Sequence, residues 1–280
     1  MPQPTVFYIA SVGHSGSTLL DVLIGSHDDV FGLGEIKNLN PRVVASMTCS
    51  CSRDRRPLLD CPFWIEAGER LERRHRLSLC EIDLDAPDPR KLLEHHDALY
   101  GVLVEMTGKT RFVDSSKDSR RLELFVRSDR HDVYPIHLLR SPQGVAYSAM
   151  RKESDWWTKL RAYQRHARRT QRFLHSIEHS IVRYEDLARD PSGVLVKLMP
   201  RLGLEYLPAQ LDWAGRERHN CGGNRMRRAE TSEIRLDTSW RSELSPFQKA
   251  AAGLVGLRID ASVRRSAAMG REVRITTDGV

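Results

Sequence analysis

The first 26 residues constrain the fold most. Thr5–Ser11 (Thr-Val-Phe-Tyr-Ile-Ala-Ser) is dense in β-branched and aromatic residues and reads as a buried strand. Gly13 to Ser17 follows as a loop of small residues, and Leu19, Leu20, Leu23 and Ile24 then recur at helical spacing. A strand, a glycine-containing turn and a helix aim several backbone N–H groups, and the positive end of the helix, at one point beyond the strand. That is an anion site, to which Ser15, Ser17 and Thr18 add hydroxyl donors. A nucleoside-triphosphate loop places lysine after its second glycine to reach the outer phosphates. Here Gly16 is followed by Ser17, so the loop suits a phosphate but lacks the ATPase signature. The plainer alternative is an N-capped helix after a tight turn.

The rest of the chain repeats the alternation. Val30–Leu33, Thr110–Ser115, Val133–Leu139 and Ile181–Tyr184 read as further strands. Residues 91–107, 120–128 and 191–202 read as helices, and a long basic helical stretch from about 143 to 176 is expected to break near residues 153–157. Strands alternating with helices imply a mainly parallel sheet covered on both faces, an α/β fold. The expected organisation is one domain over 1–280, with a cysteine-containing irregular insertion at about 40–90. The polar tail after about 271 is expected to be partly disordered.

The charge balance, 44 Lys+Arg against 37 Asp+Glu for +7, favours anionic partners without choosing among them. No apolar run approaches the roughly 20 residues that cross a bilayer, and the N-terminus lacks a secretory pattern, so a cytoplasmic location is expected. Five cysteines in 280 residues are not a disulfide scaffold.

Two further segments carry chemistry. His137-Leu138-Leu139-Arg140-Ser141-Pro142 ends a strand in arginine, with Ser148 eight residues on. An arginine at the carboxyl end of a parallel strand points into the crevice where such sheets bind ligands, and its fork suits a phosphate. Late in the chain, His219-Asn220-Cys221-Gly222-Gly223-Asn224-Arg225-Met226-Arg227 combines glycines that permit close backbone approach with several arginines.

In order and spacing these segments resemble the sulfotransferases that use 3′-phosphoadenosine 5′-phosphosulfate (PAPS), over about residues 5–250. The resemblance implies the P-loop-NTPase-like sulfotransferase fold and PAPS as donor, with no metal. It assigns Gly13, His14, Ser15, Gly16, Ser17 and Thr18 to the 5′-phosphosulfate, and Arg140 and Ser148 to the 3′-phosphate. In Arg183-Tyr184-Glu185-Asp186-Leu187 it assigns Tyr184 to the adenine. Asn224, Arg225 and Arg227 would close over the nucleotide, with Arg225, Arg227 and Arg228 left open as the phosphate clamp.

The same resemblance points to Glu35, in Gly34-Glu35, as the base that deprotonates a hydroxyl acceptor, less readily an amine. In Val113-Asp114-Ser115-Ser116-Lys117 it makes Lys117 the cation at the leaving oxygen, with Asp114 orienting it. His14 is a departure, because related enzymes carry lysine or arginine there; histidine supplies a charge only when protonated. Trp156 and Trp157 fall where the family binds acceptors, as an apolar or sugar-stacking wall or as simple packing; a small-molecule, lipid or carbohydrate acceptor is expected. Cys49-x-Cys51-x9-Cys61 can stay reduced, pair in part, or bind zinc with a fourth ligand such as His75, and the reduced state is expected. Two other readings compete: a nucleotide-dependent kinase or NTPase of the same fold class, and a non-catalytic nucleic-acid-binding protein prompted by the arginines of 161–172. No recognised nucleic-acid module is present, so no specific nucleic acid is expected as a partner.

Overall fold

The structure is a computed structural model, which describes residues 3–152, 155–267 and 272–275. Six parallel strands form one sheet: β1 (Thr5–Ala10), β2 (Val30–Gly34), β3 (Arg111–Lys117), β4 (Asp132–Leu139), β5 (His179–Arg183) and β6 (Glu272–Ile275), in the order β2-β3-β1-β4-β5-β6. β1 is central, paired with β3 from Thr5↔Arg111 and with β4 from Thr5↔Asp132. Successive side chains of a strand face opposite ways. Phe7 and Ile9 therefore join one apolar cluster and Tyr8 and Ala10 another, which is why the β1 sequence is apolar without alternation.

Helix α1 (Ser17–Ile24) follows β1 directly and is buried along its whole length, packed with β4, β5 and the helices after β5. The next helices are α2 (Pro62–His75), α3 (Pro89–Thr107), α4 (Ser119–Ser128), α5 (Pro142–Met150) and α6 (Trp156–Leu174). After them come α7 (Tyr184–Arg189), α8 (Pro191–Leu198), α9 (Trp240–Glu243) and α10 (Pro246–Ala267).

The strands read from sequence are found within two residues at most ends. Three readings change, and one helix that was not read is added. The 40–90 stretch is not irregular throughout: α2 fills its middle, starting with Pro62 at its first turn and burying Trp64, Ala67 and Leu71 on one stripe. Tyr184 opens α7 instead of ending β5. The 22-residue α10 packs Ala252, Val255, Ile259 and Val263 against Leu160, Tyr163 and Ala167 of α6. Glu272–Ile275 of the supposed tail pairs with β5 from His179↔Glu272; residues 276–280 lie outside the described residues. The long basic helix does break, and α6 restarts at Asp155, whose carboxylate caps Trp157 and Thr158 N–H groups; Glu153 and Ser154 lie outside the described residues.

With β1 flanked by β3 and β4, the chain leaves the centre of the sheet in both directions, which makes a switch point. Ligands of open parallel sheets bind beyond the carboxyl ends of the strands at that point. His14, Glu35, Lys117 and Arg140 all come from the ends of β1, β2, β3 and β4 or the loops that follow them.

Candidate active site

The loop after β1 is tightly built. Gly16 has φ 93°, and a Cβ added there would lie 2.4 Å from Tyr184 Cδ2, so both conformation and space require glycine. His14 also sits at positive φ, 69°. Ser15 Oγ donates to Val12 O (2.7 Å) and is hydrogen-bonded to Ser11 Oγ. Thr18 Oγ1 accepts from Asn224 N–H (3.3 Å), tying the loop to the late glycine-rich segment.

Arg140 is 7% exposed. Tyr163 holds its backbone, accepting from Arg140 N–H (3.1 Å) and donating to Arg140 O (2.6 Å). Its guanidinium lies over the Tyr184 ring, 4.5 Å from the centroid, and donates to His14 O (2.7 Å) and Asp237 Oδ2 (3.1 Å). Its Nε is buried without a partner among the described residues. Asp237 was not singled out in the sequence, and its N–H donates to Tyr184 OH (3.4 Å).

His14, Gly16, Arg140, Ser148, Tyr184 and Asn224 line one small cavity of about 170 Å³. His14, Ser148 and Asn224 continue into a second, of about 970 Å³, together with Arg225 and Arg228. Arg227 does not line either. It is 5% exposed and turned inward, donating to Asn220 O (2.8 Å) and Thr48 Oγ1 (2.9 Å), so its side chain braces the late loop.

On the other side of His14 a cavity of about 940 Å³ opens over the ends of β1 and β3. Lys37, Lys117 and Lys159 line it, with Arg165, Arg169 and Arg172 from successive turns of one face of α6. Three of the five arginines in 161–172, the stretch read from sequence as a nucleic-acid cue, thus face a cavity. Asp118 is the acidic group on its wall. Trp156 and Trp157 do not line it: Trp156 packs edge-on to Phe247 (6.5 Å) and Trp157 lies under Arg161.

Lys117 Nζ forms an ion pair with Glu35, both side chains largely buried. Asp114 does not orient Lys117; it accepts from Ser116 N–H (2.7 Å) and lies 3.7 Å from Arg121 Nε. Glu35 is placed instead by the Gly34 turn. Gly34 has φ 70°, and Cys221 O would lie 2.5 Å from a Cβ there. Asp21 of α1 accepts from Gly34 N–H (3.2 Å) and from Asn220 Nδ2 (2.6 Å). Burial raises the Asp21 carboxyl to about 7, partly offset by hydrogen bonds from Ser115 and Gly34. His14 is pushed below the usual imidazole range, by burial first and then by Lys152, Lys117, Arg140 and Lys159.

An anion-binding loop, a buried arginine at the end of β4 and a carboxylate–lysine pair at the ends of β2 and β3 suit transfer of an anionic group from a nucleotide. A family model described as the sulfotransferase family matches residues 4–208. The chain belongs to the sulfotransferase family. It is accordingly a transferase, and PAPS is the typical donor of that family. Its fold is similar to the sulfotransferase domain from the curacin biosynthetic pathway (TM-score 0.58, 19% identity, covering 93% of this chain and 98% of that one). It is also similar to the sulfotransferase domain from the Synechococcus PCC 7002 olefin synthase (TM-score 0.51, 20% identity, 91% and 95% covered). No protein of curated function matches the chain. Among the described residues, no helix of this sulfotransferase is long and apolar enough to cross a membrane.

Proposed function

We propose that this sulfotransferase moves the sulfuryl group of PAPS to a hydroxyl on an anionic small-molecule acceptor. The observation that carries the proposal is the position of His14 and its loop, which stand between a nucleotide-sized cleft and a cavity walled by lysine and arginine.

In this reading the N–H groups of residues 13–18 hold the 5′-phosphosulfate, as the start of α1 is built to do. Arg140 and Ser148 take the 3′-phosphate, Tyr184 lies against the adenine, and Asn224 and Arg225 close over the nucleotide. Arg227 and Arg228 share Thr48 Oγ1 and support the closing segment from behind. The acceptor oxygen attacks sulfur in line with the bridging oxygen, forming one S–O bond as the other breaks. Glu35 takes the acceptor proton, and Lys117 and His14 stabilise the charge left on the phosphate. The lysines and arginines around the acceptor cavity, seven with Arg120, favour a carboxylate, phosphate or sulfate on the acceptor, lipid, carbohydrate or otherwise. The absence of lysine after Gly16 gives a kinase or NTPase reading no support.

The test has two arms. Thermal shifts with 3′,5′-adenosine diphosphate, 5′-AMP and magnesium ATP should show selective stabilisation by the 3′-phosphorylated nucleotide; at 100 times Kd the gain is about 2.7 kcal/mol. Matched hydroxyl acceptors with and without an anionic group should then differ in kcat/KM by about 10-fold or more for one ion pair. Equal stabilisation by ATP would remove the donor, and equal rates for neutral acceptors would remove the acceptor class.

A further inference from the structure

Three cysteines and a histidine from distant parts of the chain meet at one point away from the substrate cavities. Cys49 and Cys51 lie in the loop between β2 and α2, Cys61 immediately precedes α2, and His219 lies in the late segment. The ligand atoms of all four are within 4.8 Å of one another. His219 Nδ1 is 3.6 Å from Cys49 Sγ and 3.5 Å from Cys61 Sγ, and Cys51 Sγ is 3.5 Å from Cys61 Sγ. A tetrahedral zinc ion, with bonds of about 2.3 Å to sulfur and 2.0 Å to nitrogen, sets sulfurs about 3.8 Å apart and sulfur about 3.5 Å from nitrogen. The three distances given above lie within about 0.3 Å of those values, and the remaining pairs lie within 4.8 Å. A disulfide needs about 2.05 Å between sulfurs, and all of these cysteines are free.

We infer that Cys49, Cys51, Cys61 and His219 form a structural zinc site. The fourth ligand is therefore not His75, which is exposed at the end of α2, and the sequence expectation of no metal gives way to this assignment.

The surroundings fix the histidine in the orientation a ligand needs. Its Nε2 lies 3.2 Å from Glu217 Oε1, a carboxylate partner that sets Nδ1 as the free lone pair. The Phe63 ring stacks on the imidazole at 4.2 Å and 9°, and Trp64 Nε1 donates to His219 O (3.0 Å). Cys61 occupies the N-cap of α2, so the helix start fixes the position of its side chain. Three thiolates and Zn²⁺ leave one net negative charge, and the buried Arg227 guanidinium donates to Thr48 Oγ1 (2.9 Å), one residue before Cys49. Four ligands close the coordination sphere, which makes the site structural, with no position for substrate.

The metal would join residues 49–61 to 217–221. That joint matters because Cys221 N–H donates to Leu33 O (2.8 Å) and Asn220 binds Asp21, the two contacts that seat the Gly34-Glu35 turn. The site thus holds the late segment against β2 and supports Glu35 from a distance.

The test is metal content of the full-length chain, purified under reducing conditions without chelator and measured by elemental analysis and native mass spectrometry. About one equivalent of zinc is expected, falling to about a tenth or less in Cys51→Ser and His219→Ala, and retained in His219→Cys and Cys80→Ser. Because the two depleted variants can misfold, the unmodified chain is also loaded with cobalt; intense visible bands of a tetrahedral thiolate–cobalt site are expected. A chain that takes up no zinc when offered an excess, zinc content indifferent to Cys51 and His219, a Cys51–Cys61 disulfide in the reduced preparation, or octahedral cobalt would each overturn the assignment.

Discussion

Arg140 is where the structure changes the expected size of a mutational effect. A charge-assisted bond to a phosphate is worth about 1.5–3 kcal/mol, but Arg140 is not free in this structure, since Asp237 Oδ2 is 3.1 Å from its Nη2. A 3′-phosphate has to replace that pair. Asp237 is partly exposed, which keeps the pair near the value of surface pairs, about 1 kcal/mol or less. Subtracting it leaves about 0.5–2 kcal/mol, so Arg140→Ala should weaken 3′,5′-adenosine diphosphate by about 2- to 30-fold. Asp237→Asn should do the opposite and tighten the same ligand by up to about 5-fold, because the competitor is gone. Titration calorimetry with 3′,5′-adenosine diphosphate and 5′-AMP reads both, and 5′-AMP should respond little to either change. Arg140 also donates to His14 O, so a loop disturbance has to be separated from loss of the phosphate contact. Arg140→Lys keeps the charge and serves that purpose. Equal losses for both nucleotides in Arg140→Ala, or weaker binding in Asp237→Asn, would refute the exchange of Asp237 for phosphate.

Two further predictions concern the transfer itself. Glu35→Gln should leave nucleotide affinity within about 2-fold and lower turnover by about 10²–10⁴ with the best anionic acceptor; near-normal turnover in steady-state assays would take the proton elsewhere. His14, held below the usual imidazole range by burial and four cations, is neutral in the free protein near pH 7. An anionic donor favours its charged form, so binding should take up a proton and weaken as pH rises through the bound-state value. Calorimetry in buffers of different ionisation enthalpy should show that uptake in the parent and not in His14→Arg, whose cation is permanent.

The sheet was legible because its signal is local. β1 and β4 are short, largely apolar runs bounded by polar turns, β3 carries the apolar pair Phe112-Val113, and strand alternation with helices fixes a parallel order. The strand–loop–helix form after β1 was legible for the same reason, since Gly16, Ser17 and the first turn of α1 are contiguous. α2 was missed because its mean composition is charged, and only Trp64, Ala67 and Leu71 mark its buried stripe. α10 was missed because its apolar residues lie close to evenly around the axis, with Leu254 and Leu257 exposed. The partners of the functional side chains were hidden by distance along the chain. Asp237 reaches Arg140 across 97 residues and His219 reaches Cys61 across 158. One signal was present for His219: it stands two residues before Cys221 in a segment already noted, but its glycines and arginines were read for the nucleotide alone. The direction of Arg227 was not readable at all, because Arg225, Arg227 and Arg228 share one short turn and only the packed structure tells inward from outward.

The two cations at the centre of the site are each paired with an acid in the free protein, Arg140 with Asp237 and Lys117 with Glu35. The N-terminus of α1 concentrates positive potential there, and leaving either cation without a partner carries a cost. Each acid meets that cost until a ligand arrives. On the donor side the exchange is a replacement, because a phosphate brings its own charge and Asp237 can turn to water. On the acceptor side of the proposed mechanism it is chemical: the hydroxyl brings no charge, and Glu35, as the proposed base, would become neutral only by accepting the proton released as the S–O bond forms. Lys117 then loses its partner at the moment when negative charge develops on the leaving oxygen. With the roles proposed above, the Lys117–Glu35 pairing would set Lys117 to strengthen its hold on the phosphate in the transition state more than in the ground state, which is the difference that accelerates transfer.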